Sequence, residues 1–207
     1  MTRIKICGNT NSEDAILAKE SGANFLGLIF TESKRKVSIE QAKVIIAAIP
    51  NYNSFVGVFA NQPKELVEKI VTQLNLNWVQ FHGDETSRYC DYFTHKKINV
   101  IKTFRVQDVM SLKRLEEYDI AAFLFDTFSR HELGGTGQTF DWSVIEKRPY
   151  IHGKLFLAGG LTVQNVAEAI RRVHPYAVDV ASGIEQSPGK KDPKLLKEFI
   201  QSVKESG

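Results

Sequence analysis

"RIKICGNTNSEDAI", residues 3–16, changes character halfway along. Ile4 and Ile6 alternate with Arg3, Lys5 and Cys7, the pattern of a β-strand whose successive side chains face opposite sides. Gly8 and Asn9 end the run. Thr10 with Glu13, and Asn11 with Asp14, then show capping-box spacing, which opens a helix. A strand passes directly into a helix, and a cysteine stands at the junction.

The same unit recurs to the end of the chain. Short β-rich runs lie at Arg3–Cys7, Phe25–Phe30, Phe55–Ala60, Trp78–His82, Val100–Phe104, Ala122–Asp126, Leu155–Ala158 and Ala177–Ala181. Helical-period segments separate them, among them Ser12–Glu20, Ile39–Ala48, Pro63–Leu74, Val109–Tyr118, Val163–Val173 and Asp192–Lys204. Such alternation implies a parallel sheet, because parallel neighbours need a crossover helix. Eight units predict a (β/α)8 TIM barrel, a fold that can be as short as about 200 residues. The rival is an open doubly wound sheet, which would carry a glycine-rich fingerprint after its first strand; "CGNTNSED" is not G-x-G-x-x-G. No linker, low-complexity tract or charge block divides residues 1–207, so they are read as one domain.

A formal charge of +3 is too mild for a nucleic-acid surface and suits a local site for an anionic ligand. The N-terminus lacks the apolar run of a signal peptide, and no stretch approaches the ~20 apolar residues of a membrane span. The expectation is a cytoplasmic protein with no membrane partner and two free thiols, Cys7 and Cys90. Cys90 reads as a small buried hydrophobe on a helix.

In a TIM barrel the reactive groups sit at the C-terminal ends of the strands and on the loops that follow. Here those ends carry Cys7–Gly8, His82–Gly83–Asp84–Glu85, Asp126–Thr127, Ala158–Gly159–Gly160 and Ala181–Ser182–Gly183. The period of two turns Lys5 and Cys7 inward and leaves Ile4 and Ile6 to the helices. Asp179, between Val178 and Val180, points inward by the same rule. Barrel closure makes the first and last strands neighbours, so Lys5 and Asp179 are predicted to form an ion pair, since a buried charge needs a partner. Asp179 is also counted among the substrate-binding candidates.

"LAGGLTVQNV" sets Gly159 and Gly160 before a helix entered at Thr162, and "ASGIEQSPGKKD" offers Ser182 and Gly183. Glycine backbones approach a ligand closely, and their N–H groups cradle anions. In these barrels the last two loops often hold phosphate. The competing reading is that the glycines serve tight turns alone. Gly134, Gly135 and Gly137 in "HELGGTGQTFDW" are not a Walker motif and suggest a loop folding over a ligand, with a plain connector as the alternative. Two readings stand for His82, substrate contact or a hydrogen bond to the loop. The five histidines show no metal-ligand spacing, so no metal and no other cofactor is expected. Trp78 and Trp142 read as packing residues.

Taken together, "KICGNTNSEDA", "GLIF…SKR", "VGVFAN", "VQFHGDE", "FDT…GGTGQTFDW", "LAGGLTVQNV" and "VDVASGIEQSPGKKD" closely resemble the phosphoribosylanthranilate isomerase family over almost the whole chain. The resemblance implies an Amadori rearrangement of N-(5-phospho-β-D-ribosyl)anthranilate to 1-(2-carboxyphenylamino)-1-deoxy-D-ribulose 5-phosphate, the third step of tryptophan synthesis from chorismate. It implies that Asp126 is the general acid, Cys7 the general base and Arg35 the holder of the anthranilate carboxylate. The chemistry is consistent with this. Opening the ribose ring needs a carboxylic acid, so Asp126, beside Leu124, Phe125 and Phe128, is expected to titrate above its ordinary ~3.9. A thiolate base is expected to need a pKa below the free ~8.5. Arg35 lies in "SKRK", a stretch that otherwise reads as a solvated charge run, but arginine suits bidentate carboxylate binding.

Two positions depart from the family pattern. Ala181 stands where a serine is common, removing a hydroxyl near the phosphate, and Lys34 replaces a frequent proline, which would loosen the loop carrying Arg35. Competing functions are another phosphosugar isomerase or epimerase, for instance on a bis-phosphorylated imidazole compound, and a barrel that binds a metabolite without turning it over. The first would want a second phosphate cradle, yet "FANQP" and "HGDET" lack paired glycines. Intact Cys7 and Asp126 argue against the second. The partner expected is a small phosphosugar, and the outer helices are compatible with a monomer or a homodimer.

Overall fold

A computed structural model describes residues 1–106, 114–126, 143–146 and 150–206. Eight parallel strands close into one barrel in chain order: β1 (Arg3–Ile6), β2 (Phe25–Ile29), β3 (Phe55–Phe59), β4 (Trp78–Phe81), β5 (Asn99–Arg105), β6 (Ala122–Asp126), β7 (Lys154–Ala158) and β8 (Ala177–Val180). Around them run α1 (Ser12–Ser21), α2 (Ile39–Ala47), α3 (Lys64–Leu74), α4 (Ser87–His95), α5 (Ser143–Glu146), α6 (Val166–Val173) and α7 (Pro193–Ser206). After β8 the chain adds a small antiparallel hairpin, β9 (Glu185–Ser187) with β10 (Lys190–Lys191). The closed order β1 to β8 excludes the open doubly wound sheet.

Two apolar layers follow from the period of two. Phe25, Val56, Ile101, Leu124, Phe156 and Ala177 fill the barrel, whereas Ile4, Ile6, Leu26 and Leu28 join the helices in the outer core. Trp78 packs edge-on against Phe25 with 5.3 Å between ring centres, as a packing residue should. Trp142 lies outside the described residues. The predicted cross-barrel pair exists: Lys5 is in register with Asp179 at the β1–β8 seam, and Nζ lies 2.8 Å from Oδ2.

Helix starts are set by side chains. Of the two capping-box spacings, Asn11 is the one used; its side chain accepts from the Asp14 N–H and donates to the Asp14 carboxylate. Thr10 instead donates to the Gly189 carbonyl at 2.5 Å, tying the loop after β1 to the hairpin. The helix after β7 begins at Val166, three residues later than its pattern suggests. The Asn165 side chain is the reason. It accepts from the Thr162 N–H and donates to the Gly160 carbonyl, closing a turn before the helix starts. The segment predicted as a helix at 109–118 is a short 3-10 turn at Leu115–Glu117 where it is described.

Candidate active site

Cys7 is the first residue after β1, yet its N–H still bonds the Val180 carbonyl at 2.8 Å, so it continues the sheet to the barrel rim. Asn9 fixes the turn that follows. Fully buried, it donates from its amide to the carbonyls of Ile6 and Gly27. Gly8 lies between them with φ 73°, and a side chain there would sit 2.5 Å from the Arg35 Cδ. The "CGN" stretch is thereby explained: a reactive group, a bare backbone over which an arginine lies, and an amide that locks the turn.

One cavity of about 340 Å³ opens at this end of the barrel, and it gathers most of the residues expected from the sequence. Cys7, Arg35, His82 and Asp126 line it, with Gly159, Gly160, Asp179, Ser182 and Gly183. Gly134, Gly135 and Gly137 lie outside the described residues. Gln80 also faces the cavity, two residues before His82 on the inward face of β4. The period of two could have found it.

Asp126 ends β6, and its Oδ2 lies 3.4 Å from His82 Nε2. The Gln80 side-chain nitrogen is 3.3 Å from His82 Nδ1 and donates to the Thr103 hydroxyl. The imidazole thus bridges the Gln80 amide on one side and the Asp126 carboxyl on the other. His82 therefore belongs to the mouth of the barrel and buttresses the carboxyl.

Cys7 is surrounded by charge. Burial pushes its thiol up; Lys5 pulls it down, Asp179 adds to the rise, and Lys191 again pulls down. Burial wins, so the thiol lies above its ordinary value in this state. The Lys5 ammonium sits above its usual range, since Asp179 and the Cys7 thiol outweigh the opposing effect of its complete burial. Cys90 meets its expectation: it is fully buried on α4, and burial pushes it to about 12. Both cysteines are free thiols.

The loops after β7 and β8 pack back to back. Gly159 and Gly160 adopt left-handed φ values of 96° and 63°, and among the described residues the N–H groups of Gly160 and Leu161 have no acceptor. Such bare amides form the kind of concavity that receives an anion. Ala181 borders the same cavity, so its missing hydroxyl is missing from this wall. The loops after β3 and β4 differ. Glu85 accepts from the N–H groups of Asn61 and Gly83, and Asn61 accepts from that of Asp84. Their donors are spent on each other, which leaves no second phosphate cradle there.

Arg35 turns into the cavity while Lys34 is exposed. The loop that carries Arg35 is braced by its own hydrogen bonds. Lys36 donates its N–H to the Ser33 carbonyl, the Ser33 hydroxyl accepts from the Arg35 N–H, and Lys36 bridges to Ile29 of β2. The Arg35 guanidinium meets Glu185 through its Nε and Nη2, and Lys191 Nζ joins the same carboxylate at 2.9 Å and the Cys7 carbonyl at 2.6 Å. Neither Glu185 nor Lys191 was anticipated, although both stand in the stretch quoted for its glycines. Among the described residues no three His, Cys, Asp or Glu side chains are grouped as metal ligands. No helix among them is long and apolar enough to cross a membrane.

Comparison with known proteins places this site in a family. The family model described as N-(5'-phosphoribosyl)anthranilate (PRA) isomerase matches residues 4–202. N-(5'-phosphoribosyl)anthranilate isomerase of Geobacter sulfurreducens is 46% identical over 205 residues, covering 99% of both chains. The crystal structure of phosphoribosyl anthranilate isomerase from Thermotoga maritima superposes with a TM-score of 0.88 at 41% identity, covering 99% of this chain and all of that one. A second solved structure of that isomerase, in complex with reduced 1-(o-carboxyphenylamino)-1-deoxyribulose 5-phosphate, gives a TM-score of 0.84 at 38% identity, with 99% and 100% coverage. The chain belongs to the N-(5'-phosphoribosyl)anthranilate isomerase family.

Proposed function

We propose that Asp126 and Cys7 carry the acid and base steps of the Amadori rearrangement that turns N-(5-phospho-β-D-ribosyl)anthranilate into 1-(2-carboxyphenylamino)-1-deoxy-D-ribulose 5-phosphate. The observation that carries this reading is that both groups, from non-adjacent strands, line one cavity between Arg35 and the paired glycine loops. The anthranilate carboxylate lies on Arg35, and the sugar phosphate in the loops of Gly159, Gly160, Ser182 and Gly183, where the Gly160 amide is bare. The ligand held by the solved relative, with a carboxyphenyl group at one end and a phosphate at the other, supports that orientation.

The steps follow from the groups present. Protonated Asp126 gives its proton to the ring oxygen as the C1′–O bond breaks, and the nitrogen lone pair closes to an iminium. That cation, with Lys5 and Lys191, opposes the effect of burial on the Cys7 thiol, which gives up its proton to solvent at the open mouth of the cavity and becomes the thiolate. The thiolate removes the C2′ proton, now acidic next to C=N. The resulting enolamine is protonated at C1′ and loses the proton on its oxygen to become the ketone. No oxidant or reductant is consumed. His82 steadies Asp126, and Asp179, which lines the cavity, accepts from a sugar hydroxyl.

A fluorescence assay tests the reading. Substrate generated in place from anthranilate and phosphoribosyl pyrophosphate should lose its emission when this protein is added. Asp126→Asn and Cys7→Ala should each lower kcat by at least ~10², the low end for a positioned acid or base. Near-normal turnover by either variant would remove that residue from the mechanism.

A further inference from the structure

Glu185 is a buried carboxylate held against Arg35, behind the candidate site, and the mechanism above does not use it. Its side chain is only 3% exposed. It accepts from Arg35 Nε at 2.9 and 3.0 Å and from Arg35 Nη2 at 2.6 Å, from Lys191 Nζ at 2.9 Å, and from the Gly189 N–H at 3.3 Å. Lys191 is itself wholly buried and anchored on the Cys7 carbonyl. The carboxylate is thus held by groups from two sides of the hairpin before any ligand arrives.

A guanidinium is a planar fork with two edges able to grip a carboxylate in bidentate fashion. Glu185 occupies the edge made by Nε and Nη2. Among the described residues the Arg35 guanidinium has no other hydrogen-bond partner, so the adjacent edge, made by Nη1 and the second Nη2 hydrogen, is left for a ligand. Arg35 borders the cavity, and Gly8 leaves bare backbone beneath its side chain. We infer that Glu185 is a positioning residue: it clamps Arg35 by one edge so that the other is presented, already oriented, to the anthranilate carboxylate. This deepens the reading of Arg35 given above and rests on it. Pre-orientation matters because an arginine left to swing loses rotamer entropy on binding and meets its ligand in fewer productive geometries.

The alternative is that Glu185 competes with the substrate for Arg35 and must be displaced. The two ideas predict opposite signs. Glu185→Gln keeps the shape and most hydrogen-bonding reach while removing the charge. Under the positioning role its KM for the anthranilate substrate rises on the order of tenfold, with kcat little changed. Under competition KM falls. The second readout uses the corresponding aniline derivative, which lacks the carboxylate. The unsubstituted protein should prefer the anthranilate compound, and Glu185→Gln should lose most of that preference, whereas general damage to the fold would lower both substrates alike. Glu185→Asp, which keeps the charge on a shorter stem, should fall between, and it stands in should the glutamine variant not fold. A preserved preference, or a lower KM, overturns the inference. Failure of the unsubstituted protein to turn over the anthranilate compound would instead overturn the proposed function.

Discussion

Lys5 and Asp179 face each other across the seam where the barrel closes, in register on β1 and β8, with Nζ 2.8 Å from Oδ2. Lys5 is completely buried, and among the described residues the other Asp179 oxygen, Oδ1, has no hydrogen-bond partner. The pair spans the boundary between core and cavity: the ammonium is held inside, and Asp179 lines the cavity wall. Removing one partner of such a pair strands the other charge, which costs about 3–5 kcal/mol, whereas replacing both by apolar groups is often far milder. Lys5→Met should therefore destabilise the fold by about that amount in urea unfolding. Lys5→Met combined with Asp179→Leu should recover much of the loss; a double variant as unstable as the sum of the singles would deny the pairing.

Lys191 acts on the thiol from the other side. The charged groups around Cys7 are Lys5 on β1, Asp179 on β8, Arg35 after β2 and Lys191 on β10, and both Lys5 and Lys191 favour the thiolate against burial. Lys191→Met removes one of these cations, so the Cys7 thiol should titrate higher still. Alkylation by iodoacetamide across pH, with the modified cysteine located by mass spectrometry, reads this directly. The midpoint at Cys7 should move up while Cys90, far from Lys191 in sequence and buried on α4, remains inert. An unmoved Cys7 midpoint would take Lys191 out of the thiol's electrostatics.

Acid stability gives an independent measure of the Glu185 clamp. Burial alone would push this carboxyl up, but the hydrogen bonds from Arg35 and the charge of Lys191 outweigh it and leave it below the ordinary range. A depressed folded-state pKa contributes stability above the unfolded value and loses it as pH falls through the folded value. Glu185→Gln should therefore melt below the unsubstituted protein at neutral pH. That gap should narrow once pH drops below about 4, where the unfolded carboxyl is already taking up protons. A gap independent of pH would mean that shape rather than charge holds the hairpin.

Much of this was legible in the sequence because it depended on spacing alone. The period of two along each short run assigns Lys5, Cys7 and Asp179 to the interior, and parallel closure then makes Lys5 and Asp179 neighbours without any knowledge of coordinates. What escaped depends on partners remote in the chain. Arg35 and Glu185 are separated by 150 positions, and no local pattern reports that they meet. Asn9 reads as a turn residue until the Ile6 and Gly27 carbonyls are seen to need a donor. The titration of the Cys7 thiol escaped for the same reason: burial and Asp179 act against Lys5 and Lys191, and only geometry weighs them. The late start of α6 has the same origin, since a single Asn165 side chain outcompetes helical propensity over three residues.

The glycines of the last two loops can be separated by substitution, because they are glycine for different reasons. A Cβ on Gly183 would stand 2.0 Å from the Leu161 carbonyl oxygen, a backbone atom that cannot step aside. A Cβ on Gly160 would meet nothing within 4 Å, and only its φ of 63° resists the change. Gly160→Ala should therefore cost about 1–2 kcal/mol, the strain of one left-handed residue, and leave the loop in place. Gly183→Ala must push the loops after β7 and β8 apart, an overpacking cost of about 1–3 kcal/mol. Since those loops form one wall of the cavity, the substitution should also raise KM and weaken inhibition by inorganic phosphate. Ala181→Ser adds a hydroxyl to the same wall and should leave stability unchanged while tightening phosphate binding. If Gly183→Ala lowered stability yet left phosphate inhibition intact, the paired glycines would be turn formers only, and the anion would have to be held elsewhere.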